Sequence, residues 1–205
     1  MKKGALTLSL WLVLNATGCV TVAGKQLPPL EAVATAPTDA PSIQETVGNF
    51  SFHLDGGKMI TSNKAGRIIN EEILKVWKKK GYIESSQYVK SSEFTGQADY
   101  NVTLSGSLYG ESSIVMQILS GLTLLVIPHS IEQKFDIQYT LENVRTKEKY
   151  GASVEESYTQ WSEFFLIFAL PWSGKGSSAA YEAMADHIYS QLRSKGAFEN
   201  SRTMQ

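Results

Sequence analysis

Apolar and polar residues alternate over Phe50-Ser-Phe-His-Leu54, over Tyr100 to Leu104 and over Phe135 to Leu141, the period of half-buried strands. Tyr100, Val102 and Leu104 fall on one face, with Asn101, Thr103 and Ser105 on the other. Phe135, Ile137, Tyr139 and Leu141 repeat the pattern. A polar turn at Arg145-Thr-Lys-Glu148 and a resumed run at Tyr150 to Val154 predict an antiparallel hairpin, wet on one side. Two stretches carry the helical period instead. In the first, Ala65, Ile68, Ile69, Ile73, Val76 and Trp77 recur after a cap at Ser62 or Asn63, and Lys78-Lys79-Lys80 and Gly81 close it. In the second, Ala180, Tyr181, Met184, Ile188 and Leu192 follow Ser177-Ser178, and Lys195-Gly196 ends the run. Strand, helix, strands, helix is the order of an α+β fold: an antiparallel sheet with two helices on one face, in one domain over 48–205.

Two apolar insertions interrupt this plan, at 112–131 and 161–174. The first carries no formal charge over twenty residues, and ten of the fourteen residues from Ile114 to Ile127 are large and apolar. The second runs Phe164-Phe-Leu-Ile-Phe-Ala-Leu-Pro-Trp172 and is bracketed by Trp161 and Trp172. Fourteen helical residues span about 21 Å, short of the ~30 Å hydrocarbon core, and Gly121 and Pro128 interrupt the segment. The second has the length of a barrel strand without the alternation. The two runs are expected to meet at one end of the sheet, where they either pack on each other as part of the core or offer a shared apolar surface to lipid or to neighbouring subunits. The contact residues are then Ile114, Val115, Ile118, Leu119, Leu122, Leu124, Leu125, Trp161, Phe164, Phe165, Phe168 and Trp172.

The chain begins with cationic Met1-Lys2-Lys3, an uncharged stretch from Ala5 to Leu14, and small residues up to Cys19, the form of a secretory signal peptide over 1–18. Residues 20–47 hold four of the six prolines and no period, which predicts an extended tether. Ala16-Thr17-Gly18-Cys19 resembles the lipobox of bacterial lipoproteins, with Ala16 where that family usually has leucine. The resemblance implies a diacylglyceryl thioether on Cys19, cleavage before it and acylation of the new amine; Val20 in place of Asp implies the outer membrane, facing the periplasm. Ala16 and Gly18 equally satisfy ordinary signal peptidase, which would release a soluble secreted domain.

Composition narrows the chemistry. Nineteen Lys+Arg against twenty Asp+Glu in 205 residues give no electrostatic attraction to nucleic acid. A single cysteine excludes an internal disulfide and any multi-cysteine metal site. His53, His129 and His187 have no metal-ligand spacing, and Ser173-Gly-Lys-Gly-Ser-Ser178 lacks the leading glycine and the hydroxyl residue of a phosphate loop. Glu71-Glu72 and Glu155-Glu156 read as solvated pairs. No catalytic residue, metal or cofactor is expected.

Lys79-Lys-Gly-Tyr82, Ala98-Asp-Tyr100 entering a strand, an apolar insertion, and Phe135 to Val144 resemble envelope lipoproteins of the curli-secretion and penicillin-binding-protein-activator type, and the TraT surface-exclusion lipoproteins. The likeness implies a non-enzymatic domain that binds envelope proteins or assembles with itself. Two roles follow: a periplasmic adaptor or assembly factor, or a ring-forming lipoprotein that places its apolar segments in lipid or between subunits.

Overall fold

The computed structural model describes residues 18–23, 27, 30, 35–54, 59–90, 94–112, 118, 122, 129–163 and 177–199. Seven strands form one sheet: β1 (Gly18–Ala23), β2 (Ser42–Leu54), β3 (Ile60–Thr61), β4 (Ser85–Tyr88), β5 (Tyr100–Ser112), β6 (His129–Asn143) and β7 (Lys149–Glu163). Their order is β1-β7-β6-β5-β2-β3, with β4 also paired to β2. Helices α1 (Asn63–Lys79) and α2 (Ser177–Ser194) pack against it. The fold is α+β, with both helices on one face.

The β1-β7-β6-β5 part is antiparallel, as the alternation implies, but β2 runs parallel to both β5 and β4. The reason is the helix between them: a strand followed by a crossover helix returns in the same direction, whereas a tight turn would reverse it. The strand expected at Phe50 to Leu54 begins at Ser42, so the boundary near Gly48 falls inside β2. Its first half escaped the apolar pattern because Gln44, Glu45 and Thr46 are polar yet buried. Asp99 fixes that start, accepting hydrogen bonds from Ser42 N and Ser42 Oγ, both at 2.8 Å. Residues 18–23, which the tether reading leaves unstructured in part, pair with β7 over Tyr158 to Glu163.

Burial follows the strand period. Val102, Leu104, Ile137 and Leu141 are fully covered by the helices, while Gln138 and Thr140 face outward. Trp77 of α1 sits at the centre. Its ring lies 5.7 Å from both Tyr139 and Tyr189, and its Nε1 donates to Ala185 O of α2 at 2.8 Å. Ser62 is the observed cap of α1, accepting from Ala65 N at 3.3 Å. The buried stripe of α1 is turned from the expected one: Gly66, Asn70 and Leu74 join Ile69, Ile73 and Trp77, and Ile68 is half exposed. Lys80 also does more than complement the helix dipole, since its Nζ bridges to Asp186 at 2.6 Å and Glu182 at 3.1 Å on α2.

Where β1 does not reach, the edge of β7 is covered by α2. Gln191 accepts from Ser153 N at 3.1 Å and donates to Ser153 O at 2.9 Å, and Lys195 Nζ donates to Gly151 O. An open ladder that could template another strand is thereby closed.

Gly106 of β5 has φ +139, and a Cβ there would run into the Asp136 carbonyl of β6. Gly106→Ala is expected to cost at least about 2 kcal/mol, read as a lower urea midpoint at unchanged slope. Gly151→Ala, whose nearest neighbour is Tyr139 O at 4.0 Å, is the control and should change stability by less than about 1 kcal/mol.

Candidate functional site

Backbone register brings Cys19 and the strand ends that flank both apolar insertions to one end of the sheet. Strand β5 leaves the sheet at Ser112, opposite Ile131; β6 enters at His129, opposite Ser162 of β7; and Ser162 is in turn opposite Cys19 of β1. Cys19, Ser162 and His129 therefore share one cross-strand row. Adjacent strands lie about 4.8 Å apart, so the row from Cys19 to His129 spans roughly 10 Å. The first insertion joins β5 to β6 and the second leaves β7 just beyond that row.

Of the expected contact residues, Ile118 and Leu122 are described. Both are helical, four residues apart, and 57% and 78% exposed. Two large aliphatic side chains of the first insertion are therefore left in solvent. Trp161 lies in β7, its backbone opposite Val20 and Ser130. Ile114, Val115, Leu119, Leu124, Leu125, Phe164, Phe165, Phe168 and Trp172 lie outside the described residues, as does most of the leader. Among the described residues no helix is long and apolar enough to cross a membrane.

Two polar side chains that pattern reading missed, Glu45 and Asn70, lie between sheet and helices beside Tyr139. Glu45 of β2 is 3% exposed and accepts from Asn70 Nδ2 of α1 at 2.6 Å; Asn70 Oδ1 accepts from the Tyr139 hydroxyl of β6. At the rim, Arg67 lies 4.4 Å over the Tyr88 ring and pairs with Glu71 at 2.6 Å. Burial, and then the nearby Glu71 charge, push the Glu45 carboxyl up to about 7, against the pull of Arg67 and Asn70. Burial holds the Tyr139 hydroxyl well above the usual phenol range.

Glu156, read from sequence as half of a solvated pair, is also buried, at 5% exposed. The β7 alternation turns it inward with Val154 and Tyr158, and its Oε2 accepts from Leu27 N at 3.2 Å. Burial raises its pKa as well, offset by hydrogen bonds from Leu27 and Ser157. A buried acid at a strand's inward position is the missed signal in both cases. A groove of about 350 Å³ between the helices, lined by Glu72, Lys75, Lys79 and Tyr181 among others, includes neither acid.

No protein-family model matches the sequence, and no curated protein sequence matches it. Several solved structures share features of the fold. A Xanthomonas campestris protein of the DUF330 family is 8% identical with a TM-score of 0.40, covering 84% of this chain and 97% of its own. The PelC dodecamer from Paraburkholderia phytofirmans is 12% identical with a TM-score of 0.33, covering 86% and 96%. A homolog of the neuraminyllactose-binding hemagglutinin from Helicobacter pylori is 12% identical with a TM-score of 0.34, covering 82% and 94%. At these scores the likenesses carry no inference about activity or assembly.

The raised Glu45 pKa sets a sign for pH dependence. The folded protein retains a proton that the unfolded chain releases near pH 4.5, so stability is full below that pH and falls as pH rises to about 7. The loss is roughly 3 kcal/mol from this group, and Glu156 adds in the same direction. Glu45→Gln is expected to flatten the slope between those pH values and to raise the denaturation midpoint at pH 8, measured by urea titration across the range.

Proposed function

We propose that the chain is a lipid-anchored, non-enzymatic protein of the bacterial outer membrane that acts as a periplasmic adaptor or assembly factor. It would be held with the β1/β7 end of its sheet against the bilayer. One juxtaposition supports this reading: the residue that the lipobox resemblance marks for acylation, Cys19, sits in the same row as the roots of both apolar insertions. An anchor and an apolar surface at opposite ends would compete for the membrane. Here they add.

The pairing of β1 changes the expected reach. A free stretch from Cys19 to residue 47 would let the domain stand several nanometres from the lipid. With residues 19–23 on the edge of β7, the anchor would be part of the folded body, and the domain would rest at the headgroups instead. Three acyl chains at about 0.8 kcal/mol per buried methylene make that attachment effectively permanent. The ring-forming reading is favoured by a separate observation, the shared exposure of Ile118 and Leu122. Large aliphatic side chains left in water mark a surface that lipid or a second copy would cover.

Intact-mass analysis of protein extracted from envelopes tests the anchor. The expected mature species begins at Cys19 and carries three acyl chains, and Cys19→Ser leaves it unacylated and no longer fixed to the outer membrane. A wild-type mass with no fatty acid, whether the leader is cut or retained, contradicts the reading. The size of the mature protein in detergent then separates the two roles: a monomer supports the adaptor, a large ring the assembly.

A further inference from the structure

The sheet face turned away from the helices carries a second feature, independent of the anchor. The register break between Val47 and Phe50 in β2 opens a cleft of about 720 Å³ over β2, β3, β5 and β6. Its lining includes Asn49, Ser51, Met59, Thr61, Ser105 and Gln138, and among the described residues no charged side chain lines it. Asn49, Thr61 and Gln138 are exposed, and Ser51 and Ser105 half-buried, so their donors and acceptors face solvent. Two residues further along the same strands, His53 and Tyr109 are register partners with rings stacked at 4.4 Å and 16°. Tyr109 is 40% exposed, and His53 Nε2 lies 3.3 Å from Ser51 Oγ in the cleft. At about 3.4 Å per residue the aromatic pair stands roughly 7 Å from the Ser51–Ser107 row.

The chemistry of this surface selects its ligand. An anion would need an available cation. Lys134, opposite Tyr109 on β6, is already engaged by Glu111 at 3.1 Å and Glu132 at 3.7 Å. A wholly apolar ligand would desolvate the hydroxyls and amides of the lining without replacing their hydrogen bonds, at about 1–3 kcal/mol for each group left unsatisfied. A ligand with one apolar face and many neutral hydroxyls meets both demands. Its C–H face lies on an aromatic plate and its hydroxyls exchange hydrogen bonds with serine, threonine and carboxamide groups.

We propose that the cleft and the adjoining Tyr109 ring bind a neutral glycan, with one pyranose ring on the Tyr109 face that His53 does not cover and the hydroxyls of its neighbour among Ser51, Ser105 and Gln138. Saturation-transfer NMR on the full mature protein, in a detergent that contains no sugar, provides the test. The probes are chitotetraose and maltotetraose, with tetragalacturonate as a charged sugar of equal length. At least one neutral tetrasaccharide should saturate in the millimolar range or tighter, and tetragalacturonate should bind about tenfold more weakly or not at all. Tyr109→Ala should weaken the neutral sugar by about tenfold and Gln138→Ala by about threefold, while Glu72→Ala on α1 leaves it unchanged. Gln138 is exposed, so its variant reports even if Tyr109→Ala unfolds. The proposal is overturned if neither neutral sugar saturates, if the charged one binds equally well, or if Gln138→Ala and a folded Tyr109→Ala both keep wild-type affinity. It is equally overturned if these variants alter only the size of the protein in solution, which would assign the face to a second copy.

Discussion

The helix-facing positions of β5, β6 and β7 are covered from Val102 and Leu104 through Ile137 and Leu141 to Val154, while their outward neighbours are polar. Because the strand period is two, a slip of one residue would turn every one of these side chains into water, so register is strongly specified. It holds without a break from Tyr100–Asn143 to Ser112–Ile131 between β5 and β6, and from His129–Ser162 to Glu142–Lys149 between β6 and β7. Strands locked over that length must end together. The strand ends that flank both insertions lie together as a consequence, and β1, laid antiparallel on β7, delivers Cys19 to the same place. The candidate membrane end is thus a product of core packing far from it along the strands.

Much of this was legible in the sequence. The alternation around Tyr100 and Phe135, the turn before Tyr150, both helices with their closing glycines, and the Ser62 cap of α1 follow from period and capping chemistry. Gly81 and Gly196 do take the left-handed φ of +72 and +89 that closing glycines supply. What could not be read falls under one physical heading: polar residues whose partners lie far away in sequence. The first half of β2 looks polar because Glu45 is matched by Asn70 and Gln44 by Thr95, whose Oγ1 accepts from Gln44 Nε2 at 2.6 Å. Strand β1 is specified by an edge well over a hundred residues distant, and β4, Ser-Ser-Gln-Tyr, has no apolar face of its own. Glu156 belongs under the same heading, its partner Leu27 lying at the other end of the chain. For the candidate site, Cys19 and the apolar runs are visible as composition, but their coincidence at one end depends on register. The cleft beside Tyr109 depends on an irregularity in β2 that no pattern announces.

The buried polar groups also bear on how the domain keeps its shape. Glu45, Asn70 and Tyr139 come from β2, α1 and β6, so their hydrogen bonds define one seating of the helix on the sheet where apolar contacts alone would tolerate several. Lys80 with Asp186 and Trp77 with Ala185 do the same between the helices. The buried acids lower stability as pH rises, yet they fix the frame that sets the strand ends around Cys19 and the outward sheet face in place. Both buried acids therefore belong to the packing between sheet and helices, and neither lines the groove between the helices.

Orientation at the membrane decides the matter most directly. Single fluorophores on Ser130→Cys, at the anchor end, and on Lys147→Cys, at the β6–β7 turn, can be compared in vesicles containing nitroxide-labelled lipids. The fifteen residues of β6 set these sites about 50 Å apart when extended. The expected result is strong quenching at position 130 and none at 147; equal quenching at both, or stronger quenching at 147, would contradict a domain seated on its anchor end.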